Sequence, residues 1–258
     1  MIHEYAIVHN NAKIGKDVTI GPFSVIGEHV VIGDGTWIGP HVVIDGYTQI
    51  GCNNRIFQFA SVGAPPQDKK YAGENTRTEI GDENFIREYC SIHCGTPQGS
   101  GITKIGNKNF LMNYVHVAHD CVLENEIVLT NNVALAGHVH LGNYVVLGGF
   151  AKILQFCSIG EYSFIAGATD IIKDVPPYVL VSGYHNGAKT YGLNLVGLRR
   201  RGFSAETLRN LKHAYNIIYR KGLTVADAIL ELEKMLALCP HVQKFIDALR
   251  ASKHGIVR

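Results

Sequence analysis

The stretch VTIGPFSVIGEHVVIGDGTWIGPHVVIDGYTQIG, Val18–Gly51, decides the fold. An isoleucine stands at every sixth position: Ile20, Ile26, Ile32, Ile38, Ile44 and Ile50. The same beat extends back through Ile14 and Val8 to Ile2 and forward through Ile56 to Val62. It resumes in phase at Ile80, Ile86 and Ile92. After a phase shift it runs from Ile105 through Leu111, Val117, Leu123, Leu129, Leu135, Leu141, Leu147, Ile153, Ile159 and Ile165 to Ile171. No polar residue breaks these runs. A period of six is neither helical nor a simple strand alternation; it is the mark of a parallel β-helix, in which each repeat is one short strand and a bend. Three repeats close a triangular coil, so residues eighteen apart stack in columns. At ~4.8 Å per coil, roughly ten coils give a prism about 50 Å long. A small or β-branched residue two places before the aliphatic one (Ala12, Val18, Ser24, Val30, Thr36) also points inward. Glycine often follows the aliphatic residue, as at Gly15, Gly21 and Gly27, and is expected to supply the positive φ of each corner.

Two segments leave the repeat, near 64–78 and 95–104, the second containing GTPQGSG, Gly95–Gly101. Loops leaving a rigid scaffold commonly carry function. The prism is expected over 1–175 and an exit segment over 176–203, with Pro176 and Pro177 ending regular pairing. A helical domain is expected over 204–258. There Ser204 is a candidate N-cap, with Leu208, Leu211, Ala214, Tyr215 and Ile218 on one face. Thr224 and Asp227 start a second helix and Pro240 a third.

A formal net charge of +2 is not that of a generally basic nucleic-acid-binding surface. No apolar run reaches the ~20 residues of a membrane-spanning helix, and MIHEYAIVHNN reads as neither signal nor transit peptide. The six cysteines match neither a disulfide framework nor CxxC zinc pairs. Cys90, Cys121 and Cys157 take the small inward position, the pattern of buried thiols in a reducing cytoplasm.

Of thirteen histidines, four cluster: His116, His119, His138 and His140. Eighteen-residue spacing puts His119, Gly137 and Gln155 in one column and Asp120, His138 and Phe156 in the next. An imidazole beside an N–H with no side chain in front of it suits acyl transfer to a hydroxyl. The imidazole removes the proton and the N–H stabilises the oxyanion. Imidazole clusters also bind zinc, so a zinc hydratase on the same prism stays open, as does a non-catalytic scaffold. The 119/137/155 column contains no cysteine, so transfer is expected to be direct, without an acyl-enzyme.

The stretches MNYVHVAHDC (Met112–Cys121), AGHV (Ala136–Val139), QDKKYAG (Gln67–Gly73), DVPPYV (Asp174–Val179) and GLRRRGFS (Gly197–Ser204) together resemble the UDP-N-acetylglucosamine O-acyltransferase family over nearly the whole chain. The resemblance implies a left-handed prism, although crossovers between parallel strands are usually right-handed, and it implies a homotrimer with the site in the cleft between subunits. It also implies transfer of a 3-hydroxyacyl group from acyl carrier protein to the 3-hydroxyl of UDP-N-acetylglucosamine, the first step of lipid A biosynthesis. The donor's phosphopantetheine carries the acyl group and no further cofactor is implied. By the same resemblance His119 is the general base, Asp120 orients it and Gly137 supplies the oxyanion N–H. His116 and His138 line the acceptor site, and Asp68 and Lys70 contact the sugar or its phosphates. Gln155 contacts sugar or donor; His185, Asn194, Arg200 and Arg201 hold the nucleotide; and Gly167 is the acyl-chain ruler. Arg199–Arg201 also stand just before an expected helix N-terminus, whose dipole disfavours cations; a diphosphate or an acidic partner would relieve that.

Three departures from the family pattern stand out. Leu154 replaces a common histidine, Val196 replaces a common acidic residue, and the segment between His185 and Gly192 is longer. An altered acyl preference, a 3-amino acceptor and a slower paralogue are all compatible with them.

Overall fold

A computed structural model describes residues 1–183, 187–253 and 255–258. Among these residues, short strands, parallel except for the last, form three sheets of nine, eight and ten strands, the three faces of a prism. Face I runs from Ile7–Val8 to Asp170–Ile171, face II from Lys13–Ile14 to Ser158–Ile159, and face III from Thr19–Ile20 through Phe164–Ile165 to Val179–Ser182 and Lys189–Leu193. Each strand pairs with one a coil away, as Ile7 with Val25 and Val25 with Val43. The excursions stretch this step: Ser61 pairs with Ser91, and Ser91 with His116. The first lies between strands Ser61–Ala64 and Arg77–Ile80, the second between Ser91–His93 and Ile102–Ile105.

The repeated aliphatic residues form the core. Ile38, Ile44, Ile56, Ile86, Leu111, Leu129 and Leu147 have no accessible surface. Polar residues at the small inward position are matched to one another. Asn84 N–H donates to Asn54 Oδ1 at 2.9 Å, and Asn109 N–H donates to Asn84 Oδ1 at 2.9 Å. Ile127 N–H donates to Asn109 Oδ1 at 2.8 Å. Asn84 Nδ2 also donates to Asn54 Oδ1 and to Gly106 O. This internal amide ladder satisfies backbone groups that the corners leave unpaired.

The glycines do a different job from the one expected. The positive φ falls two residues later, on non-glycine residues such as Phe23, His41, Phe59, Asp120, His138 and Phe156. A Cβ on Gly33 would lie 2.5 Å from the carbonyl carbon of Gly51, one coil away. These glycines are therefore needed for close coil-to-coil approach. The corner residues stack instead: Tyr5 and the left-handed Phe23, His41, Phe59, Tyr89 and Tyr114 form a ladder with centroids 4.8 to 5.7 Å apart. That contact offsets part of the left-handed backbone cost.

Regular pairing does not end at Pro176 and Pro177. Val179–Ser182 pairs in parallel with Phe164–Ile165, then antiparallel with Lys189–Leu193. The prolines occupy only the corner before this strand, where no ladder donor is required. The exit segment also holds a helix, α1 (Leu195–Arg200), followed by α2 (Ala205–Tyr219), α3 (Val225–Glu233) and α4 (Val242–Ala251). Ser204 Oγ and Thr224 Oγ1 accept from Thr207 N–H and Asp227 N–H, capping α2 and α3 as their sequences imply. The chain then returns to the prism's lower end, where Asp174 N–H donates to Gly255 O and Val257 N–H to Asp174 O.

Asn84→Ala is expected to lower stability by about 2–4 kcal/mol, because buried partners on two neighbouring coils lose their bonds and a cavity opens. The thermal unfolding midpoint of variant and parent measures this; an unchanged midpoint would refute the ladder's role.

Candidate active site

The site forms at the corner between faces I and II, where the left-handed φ decides what His119 touches. Adjacent residues on an extended strand point to opposite sides, and on that basis Asp120 would turn away from His119. Asp120 instead has φ 59°, and this bend brings its carboxylate back beneath the imidazole. His119 Nδ1 lies 2.9 Å from Asp120 Oδ2. An ionised carboxylate only accepts, so Nδ1 carries the proton and donates it, leaving Nε2 as the free base. The Asp120 side chain is 1% exposed and that of His119 12%. Burial alone would raise the Asp120 carboxyl, but hydrogen bonds from Thr96 and His119 outweigh it and hold the group below its usual range.

Gly137 is next in the column. A Cβ there would lie 2.5 Å from His119 Cε1 and 2.6 Å from Nε2. The imidazole thus lies directly across the glycine, and no other residue leaves room for it. His138 packs edge-on to His119, with centroids 5.0 Å apart, and stacks on Phe156 at 4.5 Å. Its Nε2 is 3.8 Å from Asp120 Oδ2. Burial lowers the His138 pKa, partly countered by the Asp120 charge.

His116 points outward from face I and shares a 2.7 Å hydrogen bond with Ser91 Oγ. Its ring meets His93 edge-on at 4.9 Å. His93 is buried, and burial, then the neighbouring His116 and His119, push its pKa down to about 4. It is therefore neutral at neutral pH. Sequence spacing misses His93 because the second excursion breaks the eighteen-residue step, so no column count places it beside His116. His140, grouped with the cluster by sequence, points out of face II and pairs with Glu124 at 3.3 Å.

A groove of about 570 Å³ runs along face I beside these residues. His116, His119, Gly137 and Gln155 line it, with Ala118, Ala136, Leu154 and Ile172 as an apolar column. Leu154 is 53% and Ile172 59% exposed. Leu154, noted in the sequence only as a departure, is therefore part of the groove's apolar surface. The first excursion closes one side: Gln67 lines the groove, and the Asp68 charge reaches His138. Asp68 Oδ1 accepts from Lys70 N–H at 2.9 Å, while the Lys70 side chain is exposed.

The other expected residues are not brought to this corner. Asn194 caps α1, accepting from Gly197 N–H, and donates to Tyr162 O at 2.9 Å. Arg201 pairs with Glu126 at 2.5 Å and lies 4.3 Å from the Tyr144 ring centroid. Glu126, Tyr144 and Tyr162 belong to the corner between faces II and III, so these contacts lie across face II from His119. Arg200 is exposed in the last turn of α1. The arginine run closes α1, whose C-terminal dipole favours cations, and stands just before Ser204, the N-cap of α2, as the sequence implies. Gly167 is exposed at the corner between faces III and I, beside Gly149, and does not line the groove. His185 lies outside the described residues.

His119, Asp120 and His138 have potential ligand atoms within 4.8 Å of one another. The Asp120 oxygens already accept from Thr96 N, Thr96 Oγ1, Ser100 Oγ, Gly101 N and His119 Nδ1. That donor set suits a carboxylate orienting a base rather than a free metal ligand.

Residues 174–257 match a family profile described as UDP N-acetylglucosamine O-acyltransferase, domain 2, and residues 11–46 match the bacterial transferase hexapeptide (six repeats). An acyl-[acyl-carrier-protein]–UDP-N-acetylglucosamine O-acyltransferase of Paracidovorax citrulli is 55% identical over 261 residues, covering 100% of this chain and 99% of the relative. One from Thiobacillus denitrificans is 49% identical over 257 residues, with coverage of 100% and 99%. A solved structure of LpxA from Acinetobacter baumannii superposes with a TM-score of 0.97 at 49% identity, covering 100% and 99%. The Arabidopsis UDP-N-acetylglucosamine acyltransferase superposes with a TM-score of 0.87 at 36% identity, covering both chains fully.

Gly137→Ala is expected to displace the His119 ring and lower turnover by roughly 100-fold, with the fold retained. Steady-state rates and circular dichroism of the variant check this; a fully active Ala variant would refute the close packing.

Proposed function

The chain belongs to the UDP-N-acetylglucosamine O-acyltransferase family, and we propose that His119 is the general base of its reaction, with Asp120 orienting it and Gly137 N–H receiving the oxyanion. It is an acyl-carrier-protein-dependent O-acyltransferase of lipid A biosynthesis, acting on UDP-N-acetylglucosamine. One observation carries the mechanism: with Nδ1 turned to Asp120, the Nε2 of His119 lies over a glycine that has no side chain in the way.

The step follows from that placement. His119 Nε2 takes the proton of the acceptor's 3-hydroxyl while the oxygen attacks the thioester carbonyl of the acyl phosphopantetheine. Negative charge moves to the carbonyl oxygen, which Gly137 N–H stabilises. Collapse breaks the carbon–sulfur bond, and the departing thiolate takes the proton from the imidazolium. Asp120 balances the imidazolium while it exists. His116 and His138, with Asp68 and Lys70 from the first excursion, hold the sugar end. Gln155 lies farther along the groove, which suits the acyl chain or nucleotide sugar.

The nucleotide end calls for a second copy. Asn194, Arg200 and Arg201 belong to the corner across face II, and Gly167 to the third corner. A homotrimer that places one subunit's His119 groove against a neighbour's other corners unites the set, with the neighbour's arginines on the diphosphate and its Gly167 limiting the acyl chain. We place the enzyme in the cytoplasm, consistent with six cysteines that are all free thiols. No helix among the described residues is long and apolar enough to cross a membrane.

With UDP-N-acetylglucosamine and a panel of 3-hydroxyacyl carrier proteins, His119→Ala should lose at least ~100-fold in kcat and keep the oligomer intact. Retained turnover would sink the base assignment. Subunits carrying His119→Ala and Arg200→Ala, each inactive alone, should regain activity when refolded together. No recovery in mixed oligomers would place both residues in one subunit's site.

A further inference from the structure

The second excursion does not reach into solvent as a free loop. Residues 95–101, GTPQGSG, fold over Asp120. Thr96, 1% exposed, gives the carboxylate its hydroxyl at 2.6 Å and its backbone N–H at 3.1 Å, both to Oδ2. Gly101 N–H donates to Oδ1 at 3.1 Å, and the single proton of Ser100 Oγ is shared between Ile102 O at 2.9 Å and the same Oδ1 at 3.3 Å. Gly99 packs so closely that a Cβ on it would lie 2.4 Å from Asp120 Cγ. The loop is held in this form by Gly99 N–H and Gly101 N–H, which both donate to Thr96 O at 3.1 Å. From below, Asp120 N–H donates to Thr103 Oγ1 at 2.9 Å and fixes the corner backbone.

We propose that this loop is an anion cradle whose occupant is the chain's own Asp120, and that Thr96 is a positioning residue that sets the orientation of His119 through that carboxylate. The proposal rests on His119 being the base. A carboxylate with two free rotations can meet an imidazole in many geometries, whereas one gripped on both oxygens presents a single lone pair to Nδ1. The glycines of the loop follow from the same arrangement, because backbone N–H groups approach an oxygen closely only where no Cβ intervenes. Each donor also draws charge from the carboxylate and so tempers its pull on the His119 proton. The loop thus governs where Nε2 points and how readily it gives up the proton it has taken.

The test uses the full-length enzyme with acyl carrier protein donor and UDP-N-acetylglucosamine. Thr96→Val should lower kcat about 10- to 100-fold and change KM little. It should also move the acid limb of the kcat–pH profile to higher pH, because a carboxylate relieved of a donor holds the imidazolium more tightly. Thr96→Ser restores the hydroxyl and should restore both readouts. Ser100→Ala, at an exposed position, should shift the limb in the same direction by less, and serves if the valine variant does not fold. A lowered thermal midpoint with unchanged kcat and pH profile per folded enzyme would overturn the proposal by making the loop merely structural. His119→Ala run alongside separates the two ideas. If it is active, the base assignment fails; if it is inactive while Thr96→Val and Ser100→Ala keep the parent's profile, only the positioning role fails.

Discussion

Everything in this protein depends on the vertical stacking of one coil on the next. Each two-residue strand is too short to be stable alone, and its backbone donors and acceptors are satisfied only by the coils above and below. That requirement fixes each column. Aliphatic side chains fill the interior, amides or hydroxyls reach the corner backbone, and glycine appears where one coil's Cβ would enter the next coil's backbone. Stability accrues coil by coil, as in other repeat architectures.

The catalytic arrangement exploits the one strained element of that scheme. Most corners place a residue in the left-handed region, a cost of roughly 1–2 kcal/mol for a residue with a side chain. At many of them that residue is an aromatic or a histidine that stacks on its neighbours. At Asp120 the same bend turns a sequence neighbour of His119 into its hydrogen-bond partner. The dyad thus arises from the scaffold's ordinary corner, and only the loop that grips Asp120 had to be added.

The six-residue period made the prism, both excursions and the 119/137/155 column legible in sequence, because columns follow from counting. Counting fails where the step changes. His93 and Thr96 escape it because the excursions put Ser91 opposite Ser61 and His116 at non-standard spacings. The partnership of His119 with Asp120 was legible by resemblance but not by strand geometry, since the decisive φ does not follow from residue type. Helix α1 was not legible for a related reason: it is only six residues long and carries no apolar period of its own. Asn194, Arg200 and Gly167 were recognisable only by resemblance, because within one chain none of them neighbours His119.

A stack of coils contains no internal instruction to stop. The last coil presents a row of unpaired backbone groups, and another prism's first coil would fit them as well as the next repeat of the same chain. Here the C-terminal segment occupies that rim. Asp174 exchanges backbone hydrogen bonds with Gly255 and Val257 and accepts a further one from Ser252 Oγ at 2.7 Å, while Phe245 of α4 packs edge-on to the buried Tyr178 at 5.4 Å. The helical domain is therefore also a chain terminator in the polymer sense, keeping a fold that could propagate end to end as a fibre to a single finite particle.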